Sequence, residues 1–468
     1  LVERRRRLFR HHRGNVRTMM EGNAQLMLSG WGRYPRCTSS LVAVASPAEV
    51  EAQGEAPFIP RGNGRSYGDA SIGVHATLDM SRLNKILSFN EKSGLIVCEA
   101  GVMLSDLVEL FVPCGWFVPV TPGTKYVTLG GMIAADVHGK NHHSRGSFCQ
   151  HVDSLDLYIP GRGVVTCSRT SEPDLFFATC GGMGLTGVIL RATFKLIAIP
   201  SAFMVQETIR ASNIEEALIG LAQTKSTYSV AWIDCLAQGK KLGRSVIMNG
   251  EHAERHELPE KARAAPFALR DRANRNIPFD LPSWSLNGTM MRGFNNIYYA
   301  TRHPGQSIVD MQSYFYPLDA LQNWNRIYGR RGFVQFQFVI PLANALKTLT
   351  TILQEISSRR LGSFLAVLKQ FGNFDSGYLS CPREGVTLAL DFPMTPSTLE
   401  LLRRLEKIVA DDGGRFYLAK DAILSPGHFA SGYPHLDEFR TVRRVRGLEI
   451  EATARPVPGL SLSAGWGY

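Results

Sequence analysis

The sequence predicts an α+β fold built from two lobes. Its length of 468 residues exceeds the size at which a single hydrophobic core usually stops growing. From about residue 60 to residue 200, short strand patterns alternate with clusters of glycine. Beyond residue 200, amphipathic helices alternate with strands of period two, and glycine is rarer. We therefore place a domain boundary near residue 200 and expect the second lobe to contain an antiparallel sheet covered by helices.

The positive charge is concentrated in the first residues. Of the net charge of +11, the first 18 residues contribute +6 through seven arginines and one glutamate. We treat residues 1–27 as an arm of doubtful origin. It is either an artefact of the assigned start, since Met19, Met20 and Met27 could each begin the chain, or a real basic tail. The arm lacks an interleaved aromatic platform, so no nucleic-acid partner is expected.

The sequence shows no pattern of membrane insertion. No run of 18 apolar residues occurs, and no charged segment near the start leads into an apolar stretch with a small-residue cleavage site. We therefore expect neither a signal peptide nor a transmembrane segment. The protein should be soluble, or peripheral to a membrane.

Cysteine and histidine do not form a metal-binding pattern. The eight cysteines are isolated from one another, so we expect reduced thiols in the core. His138, His142 and His143 in DVHGKNHH invite a zinc hypothesis, but Gly139 would interrupt the helix that a pair four residues apart requires. No metal is predicted. The histidines are either structural or lie against a cofactor.

The segment PRGNGRSYGD (60–69) is the strongest local signal. Its three glycines leave backbone amides accessible to a pyrophosphate, and Arg61 and Arg65 can supply charge. A surface turn is the alternative. GGMGLTG (181–187) has the glycine spacing of a dinucleotide fold, but VILRATFKL after it alternates as a strand instead of continuing as the required helix.

Helices and strands of the second lobe follow from periodicity. Helices are predicted over 214–222, 342–356 and 397–410, the last ended by Gly413 and Gly414. The intervening strands have one apolar face and one face with polar or small residues.

The faces of three strands suggest a ligand-binding wall. Gln335 and Gln337 share one face of the strand FVQFQFVI, which favours hydrogen bonding to a polar ligand. Ala389 and Asp391 share the small or polar face of VTLALDF, and Lys369 lies at the edge of an apolar face in LAVLKQF. The alternative is a sheet with one solvated face.

Taken together and in order, several long segments resemble a known family. They are RGNGRSYGD, PGTKYVTLGGMIAADVHGKNHHSRGSF, GGMGLTG, YPLDALQNWNRIYG, QFQFVIP and YLAKD. They resemble the vanillyl-alcohol oxidase type of FAD-binding proteins, and within it the decaprenylphosphoryl-β-D-ribose 2′-oxidases. The likeness extends from GWGR (30–33) to TVRRV (441–445). It implies a PCMH-type FAD-binding domain over 28–200 with a returning segment over 414–468, and a substrate-binding domain over 201–413.

The resemblance also implies the residues of the site. The implied FAD contacts are Arg61, Gly62, Asn63, Gly64, Arg65, Ser66, Tyr67, Gly68, Asp69, Gly123, Thr128, Leu129, Gly130, Gly131, Ala135, Asp136, Val137, His138, Ile189 and Tyr417. The implied catalytic residues are Lys420 in YLAKD, as a base or as an electrostatic stabiliser of the reduced flavin, and His138. The implied substrate contacts are Lys140, Trp232, Gln335, Gln337, Lys369 and Ala389.

Three departures from the family pattern carry expectations. Relatives with a covalent flavin have His at the position of Arg65, so FAD should be bound non-covalently here. The best-known members have Cys at the position of Ala389, so an inhibitor that needs that thiol should fail while catalysis survives. The tail after residue 446 is unlike the closing helix of the family, which indicates a frameshift or a divergent end.

The resemblance implies oxidation of the 2′-hydroxyl of a polyprenylphosphoryl-β-D-ribose to the ketone by hydride transfer to FAD. This is the first half of an epimerisation that makes the arabinose donor for cell-wall arabinan. It implies an NAD-dependent keto-reductase as partner subunit, peripheral membrane contact, and a place at the cell envelope on the periplasmic side of the cytoplasmic membrane. The alternatives are an aldonolactone or alditol oxidase of the same superfamily, and a non-catalytic binding protein with the flavin fold.

Two local expectations concern the reaction site. The irregular stretch from about 250 to 300 is expected to be a mobile lid. Within it, a loop over 280–300 with Trp284, Met290, Met291 and Phe294 is expected to form an apolar exit for a lipid tail. Tyr417 and Lys420 would point to opposite faces of an ideal strand, so the strand is expected to end between them.

Overall fold

A computed structural model describes residues 25–270, 275–282, 288–363, 365–374, 377–444, 454–457 and 460–462. The part of the chain before residue 200 contains the strands β1 (Gln25–Ser29), β2 (Arg36–Ala43), β3 (Phe58–Arg61), β4 (Ala76–Asp79), β5 (Ile86–Phe89), β6 (Leu95–Glu99), β7 (Trp116–Phe117), β8 (Val152–Ile159), β9 (Gly163–Ser168), β10 (Val188–Lys195) and β11 (Ile197–Ala198). They form a sheet in the order β1-β2-β4-β3, a sheet in the order β5-β6-β10-β8-β9, and the pair β7-β11. The strand after GGMGLTG is thus confirmed as β10.

The helices of this first lobe lie between its strands in the chain. They are α1 (Pro47–Glu51), α2 (Leu104–Phe111), α3 (Leu129–Ala134), α4 (His142–Arg145) and α5 (Pro173–Thr179). In α2, Leu104, Leu107, Val108 and Phe111 are buried, which is the one-sided apolar stripe of a helix that packs on a core. Thr128 caps the start of α3, because its hydroxyl oxygen accepts a hydrogen bond from the Gly131 amide at 3.3 Å.

The second lobe is built around a large antiparallel sheet. Its strands are β12 (Phe203–Ala211), β13 (Tyr228–Ile233), β14 (Ser245–His252), β15 (Arg275–Asn276), β16 (Gly305–Asp310), β17 (Leu321–Gln322), β18 (Phe333–Ile340), β19 (Ala366–Phe371), β20 (Gly385–Pro393) and β21 (Arg415–Phe416). The sheet has the order β16-β12-β14-β13-β19-β20-β18-β21, while β15 and β17 pair separately. The predicted antiparallel sheet covered by helices is confirmed.

Helices cover one face of that sheet. The helices of the second lobe are α6 (Ile214–Ala222), α7 (Glu260–Arg263), α8 (Gly288–Thr301), α9 (Met311–Phe315), α10 (Ala345–Arg359) and α11 (Pro396–Asp411). α6 occupies the predicted residues, and α10 and α11 lie within three residues of the predicted bounds. Ala217, Leu353 and Leu405, one from each of these helices, share a core with Leu368 and Leu388 of the sheet.

The face of β18 with the two glutamines is not solvated. All residues of β18 are buried, so the alternative of a sheet with one solvated face is wrong for this strand. The opposite face packs under the helices, whereas the face with Gln335 and Gln337 is turned toward the first lobe. Period two predicted which residues share a face, but the partner that covers each face depends on the tertiary structure.

The prediction of a loop over the whole of 280–300 is wrong, because α8 begins at Gly288. Met291 and Asn295 lie four residues apart and are buried, at 3% and 2% exposure. Asn295 Nδ2 donates to Asp234 Oδ1 at 2.6 Å, so a polar anchor holds this helix together with the buried Met291. Trp284 lies outside the described residues. Met290 and Phe294 are exposed on the outer side of α8.

The chain returns to the first lobe after β21. The helices α12 (Pro426–Gly432) and α13 (Leu436–Arg444) follow. Tyr433, Leu436 and Phe439 belong to the hydrophobic core that also contains buried residues of α2 and β10 in the first lobe. The short strands β22 (Ala454–Val457) and β23 (Leu460–Leu462) pair with each other. The rest of the tail after residue 446 and residues 1–24 lie outside the described residues. Within the part of the chain that the structure describes, no helix has the length and apolarity to cross a membrane.

Candidate active site

A cavity of about 310 Å³ lies between the two lobes. Many of the predicted site residues line it. From the first lobe and the returning segment these are Arg61, Gly62, Asn63, Gly64, Arg65, Ser66, Tyr67, Gly123, Thr128, Gly130, Gly131, Ala135, Val137, His138, Ile189, Tyr417 and Lys420. From the second lobe they are Gln335, Gln337, Lys369 and Ala389. The fold therefore brings together segments more than 300 residues apart in the chain.

Some predicted FAD contacts lie behind this lining. Gly68 packs against the backbone of Asp421 so closely that a Cβ there would overlap its carbonyl oxygen. Leu129 belongs to the hydrophobic core. Asp136 accepts a hydrogen bond from the Cys149 amide at 3.1 Å. Asp69 is also outside the lining. These residues can support the wall of the cavity rather than face its interior.

Two predicted substrate contacts, Lys140 and Trp232, also lie outside the lining. Lys140 Nζ donates to the backbone oxygen of Tyr314 and lies 4.2 Å from the centre of its ring. Trp232 is 6% exposed, and its ring centroid lies 4.6 Å from that of Tyr298 in α8. Since Trp232 is paired with Val367, which lines the cavity, it lies directly beside the wall.

The glycine turn after β3 closes against the start of α3. A Cβ at Gly62 would overlap Thr128 Oγ1, so glycine is required for the two segments to approach. Gly64 has φ of +60°, the left-handed region that favours glycine. Arg61 Nη2 donates to Ser29 O at 2.7 Å and ties the turn to β1. Backbone amides of this turn thus lie beside a helix start, an arrangement suited to a phosphate group.

Aromatic rings hold Arg65 at one end of the cavity. Its guanidinium lies 3.9 Å from the centre of the Trp31 ring and 5.5 Å from that of Tyr126. Trp31 in turn makes an edge contact with Trp324, with centroids 5.7 Å apart. Sequence reasoning missed the roles of both tryptophans. The signal was present, since GWGR and YPLDALQNWNRIYG contain them, but neither segment shows which ring it meets.

His138 lies opposite the strand β18. Gln337 Nε2 lies 2.8 Å from His138 Nε2. Burial and the neighbouring charge of Lys369 hold the pKa of His138 well below its usual range, so the imidazole is neutral. Gln337 then donates to Nε2, and the ring proton is on Nδ1. Nδ1 is buried and has no hydrogen-bond partner among the described residues.

Lys420 lies in the turn that follows β21. The strand ends at Phe416, so it ends before both Tyr417 and Lys420 and not between them. The Lys420 amide donates to Tyr417 O at 2.9 Å, which turns both side chains toward the cavity. Lys420 Nζ lies 3.8 Å from the centre of the Tyr67 ring. Burial lowers the pKa of Lys420 to about 7, and Asp391 partly opposes that shift.

Two further lysines contribute positive charge nearby. Burial lowers the pKa of Lys369 to about 8. Burial and the charge of Lys369 lower the pKa of Lys140 to about 7. Both shifts reflect lysines held in a poorly solvated place, where their positive charges would favour binding of an anion.

The residues present fit the flavin nucleotide implied by the family resemblance. The glycine turn and the capped start of α3 suit a pyrophosphate. The wall formed by His138, Gln337, Tyr417 and Lys420 suits a polar aromatic ring system. A nicotinamide dinucleotide fold is not indicated, because a strand follows the GxGxxG spacing.

Comparisons with known proteins agree with this geometry. A family described as FAD binding domain matches residues 34–168. The chain is 35% identical over 433 residues to the decaprenylphosphoryl-β-D-ribose oxidase of Mycolicibacterium smegmatis. The aligned residues cover 89% of this chain and 93% of that protein. It is 26% identical over 214 residues to the L-gulonolactone oxidase of Bos taurus, covering 43% and 47% of the two chains. It is 28% identical over 196 residues to the D-lactate dehydrogenase of Anaerostipes hadrus, covering 39% and 41%. The first of these similarities extends through both lobes.

Proposed function

The chain belongs to the decaprenylphosphoryl-β-D-ribose oxidase family of FAD-binding oxidoreductases, and on that premise we propose that it oxidises the 2′-hydroxyl of a polyprenylphosphoryl-β-D-ribose to the ketone. One observation carries the proposal. A single cavity is lined both by the glycine turn of the first lobe and by Gln335, Gln337 and Lys420, so a cofactor and a polar substrate can meet there.

We propose that FAD binds non-covalently along the first-lobe side of this cavity. The pyrophosphate would lie at the amides of the 61–67 turn, the Thr128 cap and the Gly130–Gly131 pair. Arg65 stands where covalent relatives have His, and its guanidinium, stacked on Trp31, cannot form the bond to the flavin that an imidazole forms. Acid precipitation should therefore release yellow flavin into the supernatant. Flavin that stays with the protein would contradict non-covalent binding.

Lys420 is proposed as the base. When bound, the flavin supplies the acceptor for the hydride that leaves the alcohol carbon. The hydroxyl proton must leave at the same time, and a lysine whose pKa lies at about 7 is partly neutral at pH 7 and can take it. After the reaction the ammonium so formed returns its proton to solvent. The neutral His138 and Gln337 would orient the polar groups of the ligand.

Lys369 and Lys140 are proposed to hold the phosphate of the substrate. Lys369 lines the cavity, and Lys140 lies close enough for the charge of Lys369 to contribute to the lowered pKa of Lys140. A phosphodiester anion between them would offset that repulsion. Ala389 and Val367 leave an apolar strip of wall next to Lys369 for the sugar and the first carbons of the lipid.

Two partners follow from the chemistry of the proposal. A ketone made from one epimer must be reduced to give the other, so an NAD-dependent keto-reductase is proposed as partner. A polyprenyl substrate resides in a membrane, so peripheral contact is proposed. Met290, Phe294 and Ile297 are exposed at intervals of four and three residues on α8, which favours this helix as the contact. Co-sedimentation with anionic vesicles, reduced in Ile297→Asp, would test it.

The main test is the absorbance spectrum of the purified protein, recorded without oxygen before and after addition of a polyprenylphosphoryl ribose. We expect a yellow protein that bleaches within seconds, and a Lys420→Met variant that is equally yellow and bleaches far more slowly. An L-gulonolactone and an alditol are the control substrates. Faster bleaching by either would favour the aldonolactone or alditol oxidase alternative. That alternative is weaker because the likeness to L-gulonolactone oxidase covers only 43% of this chain. A yellow protein that no substrate bleaches would favour the non-catalytic binding protein.

A further inference from the structure

Asp391 is a fully buried carboxyl group directly behind the cavity wall. It lies on β20 with no exposed surface. Gln335 is opposite it on β18, and Gln335 Nε2 donates to Asp391 Oδ1. The other carboxyl oxygen, Oδ2, is buried and has no hydrogen-bond partner among the described residues. Packing alone gives no reason for such a group, because an unsatisfied buried carboxylate destabilises a fold.

Two side chains connect Asp391 to Lys420. Gln335, which holds the carboxyl group, lines the cavity together with Lys420. Tyr67 lies between them, because its hydroxyl contacts Gln335 and its ring lies 3.8 Å under Lys420 Nζ. Tyr67 is 6% exposed, and its amide donates to Ala419 O at 2.9 Å, next to Lys420. The four residues form a contiguous cluster in which Tyr67, Gln335 and Asp391 are buried and Lys420 is half-buried.

The charges around Lys420 are of mixed sign. Asp391 favours a proton on the lysine, whereas Lys369 and Arg65 disfavour it. Neutral His138 adds no charge. Burial, and after it the charge of Asp391, raises the pKa of Tyr67 and of Tyr328, which keeps both phenols neutral. Of these neighbours, Asp391 is the group whose negative charge stabilises the ammonium. Burial raises the pKa of Asp391 itself to about 7, and the hydrogen bond from Gln335 opposes that shift, so the negative charge is complete only above neutral pH.

We propose that Asp391 is a positioning residue whose buried carboxylate, held by Gln335, is the counter-charge of Lys420 and sets the pH range in which that lysine exchanges its proton. During oxidation Lys420 would take the proton of the substrate hydroxyl, and the ammonium would persist until solvent removes that proton. The carboxylate stabilises this intermediate state of the lysine. The catalytic consequence rests on the proposed function. The effect of Asp391 on the proton affinity of Lys420 does not, because it is a property of the protein without substrate.

The link can be measured without substrate. The FAD-containing protein is labelled briefly with acetic anhydride at a series of pH values, and acetylation of the Lys420 peptide is quantified by mass spectrometry. Only the neutral amine reacts, so the midpoint reports the proton affinity of Lys420. In Asp391→Asn we expect the midpoint to fall by about 1 unit or more, the usual effect of losing a nearby opposite charge. Asp319→Asn is the matched control, because Asp319 lines the same cavity but acts on Arg65 and Lys125 rather than on Lys420. Its midpoint should stay at the wild-type value.

A second variant, Gln335→Met, keeps the test possible if Asp391→Asn does not fold. Gln335→Met removes the donor that favours ionisation of Asp391, so the midpoint should fall in the same direction by a smaller amount. The acid limb of the kcat profile should move to lower pH together with the labelling midpoint. An unchanged midpoint in a folded, yellow Asp391→Asn protein, or in Gln335→Met if the first variant does not fold, overturns the inference. A protein that shows the shift but does not oxidise polyprenylphosphoryl ribose contradicts only the proposed function.

Discussion

Replacing Lys420 by Met should stop turnover and stabilise the protein at neutral pH. The pKa of Lys420 falls from 10.5 to about 7 on folding, which corresponds to a preference of about 5 kcal/mol for the neutral amine in the folded site. The unfolded chain binds the proton below pH 10.5 and the folded protein only below about pH 7. The unfolded state therefore binds more protons between these values, and half-buried, desolvated Lys420 destabilises the fold most at and below pH 7.

Met fills a similar volume and carries no charge, so the substitution removes this cost. It also removes the attraction to Asp391, which leaves that carboxylate without its counter-charge and offsets part of the gain. We expect a net gain in the free energy of unfolding of about 1–3 kcal/mol at pH 7, since the two effects oppose each other. The gain should shrink as the pH approaches 10, because the unfolded lysine then also loses its proton. Turnover should fall by about 10²–10⁴, the usual contribution of a general base.

The assay is urea unfolding followed by tryptophan fluorescence at pH 7, 8.5 and 10 with saturating FAD, together with kcat at saturating substrate. Lys407→Met, at an exposed position on α11, is the matched control and should change stability little at any pH. A Lys420→Met protein with near wild-type kcat would remove Lys420 from the chemistry. A stability difference that does not depend on pH would refute the assignment of a desolvated, neutral lysine.

Four further outcomes are expected. Activity should rise with pH through about 7, because Lys420 must lose its proton before it can accept one; a profile that falls over this range would favour the ammonium as the active form. Gln337→Leu should lower kcat/KM by about 5- to 150-fold with flavin content retained, since an unpartnered buried His138 nitrogen costs about 1–3 kcal/mol. Unchanged kinetics would show that Gln337 does not orient His138. The imidazole proton signals of His138 should stay constant in NMR spectra from pH 5.5 to 8, because burial keeps the ring neutral, and a titration near pH 6.5 would contradict this. Thr128→Val should destabilise the protein by about 1 kcal/mol and weaken FAD retention on dilution, because α3 loses its cap; equal stability by thermal melting would argue against that role.

The sequence alone determined the elements and the chemistry of single segments. Period two placed Gln335 and Gln337 on one face, the alternation after GGMGLTG predicted β10, and helical spacing predicted α6. These patterns survive in a single sequence because each strand or helix must bury one side, whatever covers it. The family resemblance added FAD and the reaction.

The local signals failed where contacts from elsewhere in the chain decide the structure. The apolar side chains of Met290, Phe294 and Ile297 in α8 are exposed, and Asn295 holds the helix through a hydrogen bond to Asp234, a residue 61 positions earlier. No local pattern indicates such a bond. The end of β21 before Tyr417 likewise depends on the pairing of β21 with β18, which stops at Phe416.

Only the tertiary structure decided which residues share the site. Arg65 meets Trp31, Lys420 meets Tyr67, and Asp391 acts on Lys420 because the second lobe packs on the first and the last segment returns between them. Charges and rings from distant segments then lie within a few ångströms, where water is scarce and electrostatic effects are large. Burial is a property of the whole fold. The pKa of Lys420 therefore could not be derived from the sequence alone.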